Sequence, residues 1–385
     1  MQSSFSNRVS LNRAVEIAKE EGSALRKRLG SEKIPVWDSL HRVLAGDVQL
    51  QKSFPLWDFA TMDGFAVNTA SSFPMKITGS VYAGDDSPFF LHKNEAVRVA
   101  TGAPIPSGAN AVVKNELAHI VGSELLGPSV DEGSYVLFKG TDIQKGDGLE
   151  EGCVLDERGM ALVASSTSMV EVVKMAHVGV LSSGKEILTG VVPDTNTPLV
   201  CGLLRSLGAQ PVHLGVLPDE PEATQNTLET VCDEVDMLIT IGGASVGERD
   251  YVWRALERTL FRGVSIRPGK PLTFGYLRDT PVVCLPGKPV GAYTAMQLVG
   301  AHLFCTPKRT VCRAVMGCSV RIPADGFQYI LYGSLSEGTF NPVGIVSGKY
   351  NVSVASAMLS GIMCDGYVPT DCPVERGEGV DVFLM

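Results

Sequence analysis

The 385-residue chain is short of the signals that mark several common chemistries. Its nine cysteines (Cys153, Cys201, Cys232, Cys284, Cys305, Cys312, Cys318, Cys364 and Cys372) form no Cys-x-x-Cys pair and lie far apart. That pattern argues against a zinc knuckle and against a disulfide framework, and an odd thiol count in a chain this long fits a reducing compartment. The six histidines (His41, His92, His119, His177, His213 and His302) show no metal-ligand spacing, and none adjoins a candidate Ser or Cys nucleophile. A zinc hydrolase or a Ser-His-Asp triad is therefore disfavoured. There is no G-x-x-x-x-G-K-[ST] run, which removes a P-loop nucleotidase or kinase. No uncharged apolar run approaches the ~20 residues needed to span a bilayer. The polar stretch Met1–Ser10 has no signal-peptide core, so a soluble, cytoplasmic protein is expected. Positive charge is also scarce: 33 Lys and Arg face 42 Asp and Glu, for a net charge of −9. A generic nucleic-acid binder needs a basic face, although a local basic pocket for a small anion can sit on an acidic protein.

What is present is ordinary globular material, 44% hydrophobic and 19% charged, long enough for two to four domains. Leu11–Leu29 has apolar residues at helical spacing, Ser10 placed to cap it and Gly30 just beyond its end. A short helix is expected over Ser39–Ala45. The stretch 49–148 changes to short β-rich runs cut by Gly and Pro, among them Met75–Tyr82, Ala96–Ala100 and Ala111–Asn115. A helix over Met160–Ser168 returns the chain to its first segment, so 1–48 and 149–175 read as one discontinuous domain. From 176 to 306 short apolar strands alternate with amphipathic helices: strand Val178–Leu181, helix Thr197–Leu207, strand Pro211–Leu217, helix Glu220–Cys232, strand Met237–Ile241, helix Val290–Phe304. Such a βαβ series implies a parallel sheet covered on both faces. The segment 307–385 reads as a small β domain. The fold class is thus a multidomain chain with a doubly wound α/β domain, a β-rich domain and a small C-terminal β domain.

Three turns fall where strands of the α/β region should end. They are Ser182-Ser183-Gly184-Lys185-Glu186, then Gly242-Gly243-Ala244-Ser245-Val246-Gly247, then Leu285-Pro286-Gly287-Lys288-Pro289. Ligands of open α/β sheets bind at the carboxyl ends of the strands. Backbone N–H groups there can hold an anion, and glycine lets a phosphate approach the chain. Three such turns at one edge point to a phosphate-bearing ligand. Around them sit Glu186, Asp194, Asp219, Glu248 and Asp250, acids that could hold a magnesium-type cation or serve only as helix caps. Arg267-Pro268-Gly269-Lys270-Pro271 sets two cations three residues apart in a proline-stiffened turn, fit to grip a small oxyanion without ordering a flexible loop. In the β-rich part, Met62-Asp63-Gly64-Phe65-Ala66 and Thr101-Gly102-Ala103-Pro104 read equally well as ligand loops or as plain turns.

These elements occur in a serial order that resembles the MoeA/gephyrin-type molybdopterin molybdenumtransferases. Met62-Asp63-Gly64-Phe65-Ala66-Val67 is similar to M-D-G-Y-A-V, Thr101–Pro106 to T-G-A-P-x-P, and Gly140-Thr141-Asp142-Ile143 to G-x-D-I. Asp194-Thr195-Asn196 resembles D-[ST]-N, and Gly242–Tyr251 resembles G-G-[VTA]-S-x-G-x-x-D-[YF]. Arg267–Pro271 resembles K-P-G-K-P, and Leu285–Gly291 resembles L-P-G-N-P-V-S. The likeness runs from about residue 10 to 305 and is loose beyond. It implies an L-shaped homodimer with a central MogA-like domain, 1–48 with 149–175 serving as linker and dimerisation domain. It also implies insertion of molybdate into adenylylated molybdopterin with release of AMP, assisted by Mg2+, and contacts with other molybdenum-cofactor biosynthesis proteins. On matching positions Glu186, Asp219 and Asp250 would surround the pyrophosphate and cation. Arg267 and Lys270 would hold molybdate, and Pro271 of the same turn would belong to the substrate site. Ser182, Ser183, Gly184, Asp194, Gly242, Gly243, Ser245, Gly247, Pro286, Gly287 and Lys288 would line the ligand. Asp63, Thr101 and Asp142 would come across from the partner subunit. The chain departs from the pattern at Lys185 (an Asp), Lys288 (an Asn), Gly291 (a Ser) and Arg267 (a Lys). The two lysines add positive charge where a cation would bind, and the departures leave room for a second reading, a non-catalytic relative that binds a pterin or nucleotide or scaffolds a complex.

Overall fold

A computed structural model describes residues 8–86, 90–243, 251–352 and 363–385. The chain forms two compact units, one comprising 1–46, 150–161 and 168–385 and the other 47–149 with 162–167.

The first unit opens on helix α1, Leu11–Leu29. The Ser10 hydroxyl accepts from the Arg13 N–H at 3.2 Å, satisfying one free donor of the first turn. Gly30 ends the helix at φ +70°, its N–H bonding the Arg26 carbonyl. Ala14, Ile17, Ala18, Gly22 and Leu25 are its buried residues, the three-and-four spacing of one apolar stripe. The stripe packs on a 3-10 turn, Gly300–Leu303, so closely that a Cβ on Gly22 would lie 2.4 Å from the His302 carbonyl oxygen.

The centre of this unit is a six-stranded sheet. Its strands are β1 (His177–Ser182), β2 (Gln210–Val216), β3 (Met237–Ile241), β4 (Arg258–Arg262), β5 (Thr273–Leu277) and β6 (Thr280–Leu285), in the order β2-β1-β3-β6-β5-β4. The first four in that order run parallel, and β5 and β4 complete an antiparallel edge. Strands β3 and β6 are buried at every residue, as continuous apolar runs such as Met-Leu-Ile-Thr-Ile require when helices cover both faces. Helix α2 (Asn196–Ser206) connects β1 to β2, α3 (Pro221–Cys232) connects β2 to β3, and α4 (Pro289–Leu298) follows β6. The chain leaves β1 outward to β2 and then returns across it to β3, so the strand order reverses between β1 and β3. A crevice opens at such a reversal, outside the carboxyl ends of the strands.

Beyond the sheet, strands Val311–Met316, Gln328–Ser336, Thr339–Pro342, Gly366–Thr370 and Gly379–Leu384 close into a small barrel, because Gly366–Thr370 pairs with both Gly379–Leu384 and Gln328–Ser336. The short strand Ile266–Arg267 joins this barrel by pairing in parallel with Gln328–Tyr329. The second unit holds its own six-stranded sheet, in the order Ala111–Lys114, Gly64–Val67, Glu95–Val99, Met75–Val81, Glu124–Leu126, His119–Val121. Among the described residues all nine cysteines are free thiols, and no helix is long and apolar enough to cross a membrane.

Three expectations need correction. Ser39–Ala45 is not a helix: a 3-10 turn covers Val36–Asp38, and the Leu44 and Ala45 N–H groups bond Cys153 and Glu171 carbonyls instead of a helical partner. The expected helix Val290–Phe304 is interrupted, with α4 ending at Leu298 and the 3-10 turn following. The expected helix Met160–Ser168 lies earlier, at Glu157–Ala164.

Candidate active site

Strands β1, β3 and β6 end side by side, and their three turns are stitched together by the backbone. The Ser183 N–H bonds the Ile241 carbonyl at 2.9 Å, and the Gly242 N–H bonds the Leu285 carbonyl at 2.9 Å. Gly242 sits at φ +93°, where a Cβ would also stand 2.8 Å from the Ser183 carbonyl oxygen, so only glycine fits the junction. Gly287 lies beside it: a Cβ built there would be in ordinary contact with the Gly242 Cα at 3.6 Å. Sequence spacing placed these turns at one edge, and the structure makes them one continuous surface at the sheet's reversal point.

Two polar residues expected at the ligand are engaged in building this surface. Asp194 accepts from the Asn196 and Thr197 N–H groups at 3.1 and 2.9 Å, from the Thr197 hydroxyl at 2.7 Å, and from the Ser182 hydroxyl. It therefore caps the start of α2 and ties that helix to the end of β1. Burial works against its charge, but these four donors outweigh it and hold the carboxyl below the usual range. Ser182 is buried, with its hydroxyl on Asp194 and Thr197. Asn196 donates from Nδ2 to the Gly287 carbonyl at 2.8 Å, joining α2 to the β6 turn, while its Oδ1 is buried with no hydrogen-bond partner among the described residues. Lys185, Glu186, Gly287 and Lys288 are exposed at this edge, Ser183, Gly184 and Asp219 are half-buried, and Pro286 is buried. Glu186 begins the single helical turn Lys185–Leu188 with Lys185, and its carboxylate folds back over Gly184. Ser245, Gly247 and Asp250, together with Glu248, lie outside the described residues.

The Arg267 turn reaches the same edge through α4. A Cβ on Gly291 would lie 3.1 Å from the Pro286 Cβ and 3.8 Å from the Gly269 N, so the β6 turn and the Arg267–Pro271 turn meet at that helical glycine. Arg267 is paired with Asp325 at 3.3 Å and its guanidinium lies 4.1 Å from the centre of the Phe327 ring. Lys270 is half-buried; burial first, then repulsion from Arg267 and Arg8, lowers its pKa, with Asp325 opposing. Asp325 and Phe327 come from the C-terminal segment, and nothing in their spacing marks them in the sequence.

In the second unit, two motifs that taken singly read as plain turns form one constellation. Asp63, in the turn before strand Gly64–Val67, accepts from the Thr101 N–H at 2.6 Å and the Thr101 hydroxyl at 2.8 Å. The N–H and then the hydroxyl hold the Asp63 carboxyl below its ordinary range. Both residues are exposed. Asp142 is exposed on another loop, where its N–H bonds the Phe54 carbonyl at 3.1 Å.

Residues 9–167 match the family described as "MoeA N-terminal region (domain I and II)", and residues 179–304 match "Probable molybdopterin binding domain". The molybdopterin molybdenumtransferase of Haemophilus influenzae is 33% identical over 291 residues, covering 70% of this chain and 71% of that protein. This chain belongs to the molybdopterin molybdenumtransferase family. The family enzyme of Bacillus subtilis is 31% identical over 73% of this chain and 70% of its own. The crystal structure of the molybdopterin biosynthesis MoeA protein from Pyrococcus horikoshii superposes with a TM-score of 0.71 at 23% identity, covering 98% of this chain and 100% of that one, which shows a shared fold.

For a molybdenumtransferase, then, the structure brings together the Ser182, Gly242 and Leu285 turns with the Arg267 turn, and separately Asp63 with Thr101. The residues that reasoning from sequence passed over are structural neighbours of those it named. Thr197 and Asn196 organise the edge, and Asp325 and Phe327 seat Arg267. Thr197 carried a weak signal, since Asp194 three residues before it has the spacing of an N-cap.

Proposed function

We propose that this protein is a molybdopterin molybdenumtransferase that inserts molybdate into the dithiolene of adenylylated molybdopterin and releases AMP. The observation that carries the reading is the convergence of three glycine-bearing turns at the reversal point of the sheet, with the Arg267–Lys270 turn brought against them at Gly291. Backbone N–H groups of the turns and the start of α4 would hold the phosphate groups, since free N–H donors and the helix dipole favour anions there. Arg267, kept in place by Asp325, and Lys270 would hold molybdate by charge-assisted hydrogen bonds.

Glu186 and Asp219 would hold Mg2+ at this edge, since Mg2+ takes only one or two protein carboxylates when phosphates supply further oxygens. Among the described residues no group of three acids, histidines or cysteines is gathered for a metal, so Asp250 would be the third ligand by resemblance alone. When bound, Mg2+ supplies neutralising charge to the phosphoanhydride oxygens as the adenylyl bond opens. A homodimer is part of the proposal, with Asp63, Thr101 and Asp142 contributed by the partner subunit, as is the four-part division 1–48 with 149–175, 49–148, 176–306 and 307–385. A cytoplasmic setting with other molybdenum-cofactor biosynthesis proteins belongs to the same reading.

The deciding experiment incubates the protein with adenylylated molybdopterin, molybdate and Mg2+ and measures AMP. Molybdate-dependent AMP release is expected. Tight binding of the adenylylated ligand with no AMP release would turn the reading to a carrier or scaffold, which is the outcome the lysines at 185 and 288 would favour.

A further inference from the structure

Two aromatic side chains stand on the outer surface of the second unit beside the Asp63–Thr101 pair. In the short strand Phe59–Ala60, Ala60 turns inward and is buried, so Phe59 faces outward and is half-buried. Trp57, 47% exposed, lies with it, the ring centres 6.0 Å apart and the planes tilted by 51°. Backbone bonds fix this strand against the loop that carries Thr101. The Gly102 N–H bonds the Ala60 carbonyl at 2.8 Å, the Ala60 N–H bonds the Ala103 carbonyl at 2.9 Å, and the Ile105 N–H bonds the Asp58 carbonyl at 2.8 Å. Successive N–H groups of that loop, those of Thr101 and Gly102, thus reach the Asp63 carboxylate and the aromatic strand. Their Cα atoms are about 3.8 Å apart, as in any trans peptide. Both Thr101 bonds fall on Asp63 Oδ1, and no other bond to this exposed carboxylate occurs among the described residues. With Thr101 holding its pKa down, the carboxyl is an ionised acceptor at neutral pH.

We propose that Trp57, Phe59 and Asp63 form a subsite for an amino-bearing planar heterocycle, which stacks on the aromatic side chains and donates from its amino group to Asp63 Oδ2. The inference rests on the reading of the second unit as a contributor to the substrate site, and it assigns to that unit a ring of the substrate and not its phosphates. Stacking on an aromatic side chain accepts any π-face, so the acid supplies the selectivity by requiring N–H donors on the ring edge. The same acid argues against a protein surface as the occupant. An apolar surface laid over Trp57 and Phe59 would desolvate the neighbouring carboxylate without giving it a donor, which is costly, whereas an amino edge brings its own. Adenine and pterin share this chemistry, and the test separates them.

The test is titration calorimetry with AMP, and separately with a free pterin, on the full-length protein and on Trp57→Leu, Trp57→Phe, Phe59→Asn and Asp63→Asn, with Tm values equal to the parent's showing that each variant folds. Asp63→Asn keeps an acceptor for Thr101 and turns the free acceptor into an NH2 donor. For one of the two rings, Kd should rise about tenfold in Trp57→Leu and in Phe59→Asn, as loss of a stacked aromatic produces. Trp57→Phe should recover most of that affinity, and Asp63→Asn should weaken the same ring. The ring that responds identifies the heterocycle held there. Unchanged affinity for both rings in the Trp57 and Phe59 variants would overturn the subsite, and a change in their sedimentation in its place would make the strip a contact between chains. If the parent binds neither ring yet releases AMP from adenylylated molybdopterin, the subsite falls and the transferase reading stands. If it binds neither ring and releases no AMP, both fall together.

Discussion

Lys185 and Lys288 flank the glycines of two turns at the ligand edge, and both side chains are exposed there. A pyrophosphate held by those turns would meet two cations where the motifs they resemble have an acid and an amide. Such contacts tighten the ground state, and binding that is equal in ground and transition states does not raise the rate. The same lysines oppose a divalent cation on Glu186 by Coulomb repulsion. The protein should therefore bind its adenylylated ligand with little need for Mg2+ and release AMP slowly. Lys185→Asp combined with Lys288→Asn should increase both the magnesium dependence and the rate, measured as AMP formation against Mg2+ concentration. Full, magnesium-dependent turnover by the unaltered protein would mean that the lysines point away from the bound phosphates. At this scale the sequence shows which residues are charged but not how they are employed. Asp194 and Ser182 look like ligand residues in a motif, yet each bonds the other and Thr197, because a carboxylate at a helix start finds the free N–H donors before any ligand does.

Helix α1 packs closely on the 3-10 turn Gly300–Leu303, and the packing depends on one missing methyl. With the His302 carbonyl 2.4 Å from a Cβ on Gly22, Gly22→Ala should force the helix outward. Overpacking of this kind costs about 1–3 kcal/mol, while alanine's better helix propensity returns up to about 1 kcal/mol. A net fall in Tm by calorimetry is expected, and an unchanged or higher Tm would show that the contact relaxes freely. The side chain of the same His302 carries a pH dependence. Burial, with Arg309 and Lys19 adding repulsion, pushes the His302 pKa down to about 4 from 6.5. The folded state thus keeps the ring neutral where the unfolded chain would protonate it. Its contribution is complete above about pH 6.5 and is lost as pH falls toward 4. The Tm difference between the parent protein and His302→Gln should shift against the parent over that range, and a constant difference would mean that the imidazole titrates alike in the folded and unfolded chains. Element type was largely legible in the sequence, since α1 and β3 run as their periodicity predicts. Ser39–Ala45 was not legible, because distant backbone groups at Cys153 and Glu171 claim its N–H donors and local propensity has no record of them.

At the scale of the whole molecule, the proposal of a shared site has a direct genetic test. Asp63→Ala and Asp250→Ala proteins should each be inactive, yet recover activity when mixed and allowed to exchange subunits. A two-fold dimer of that kind would hold one site with both acids intact. No recovery after verified exchange, or a monomer by light scattering, would count against a site built from two subunits.

The chain's order of apolar periods and glycine turns by itself determined the α/β class of the centre, the β-rich class of the flanks and the sheet edge at which the glycine turns fall. Those are local properties, set by the backbone freedom of glycine and by side-chain alternation, so they survive being read one segment at a time. Only the tertiary structure decided which turns touch. It placed Gly291 between the Leu285 and Arg267 turns, joined Asp63 to Thr101 across 38 positions, and carried Arg8 from the start of the chain to the Phe327 ring. Strand pairing made those meetings, through Val9 on Val264 and Ile266–Arg267 on Gln328–Tyr329, and pairing between distant segments leaves no mark in the spacing of either one.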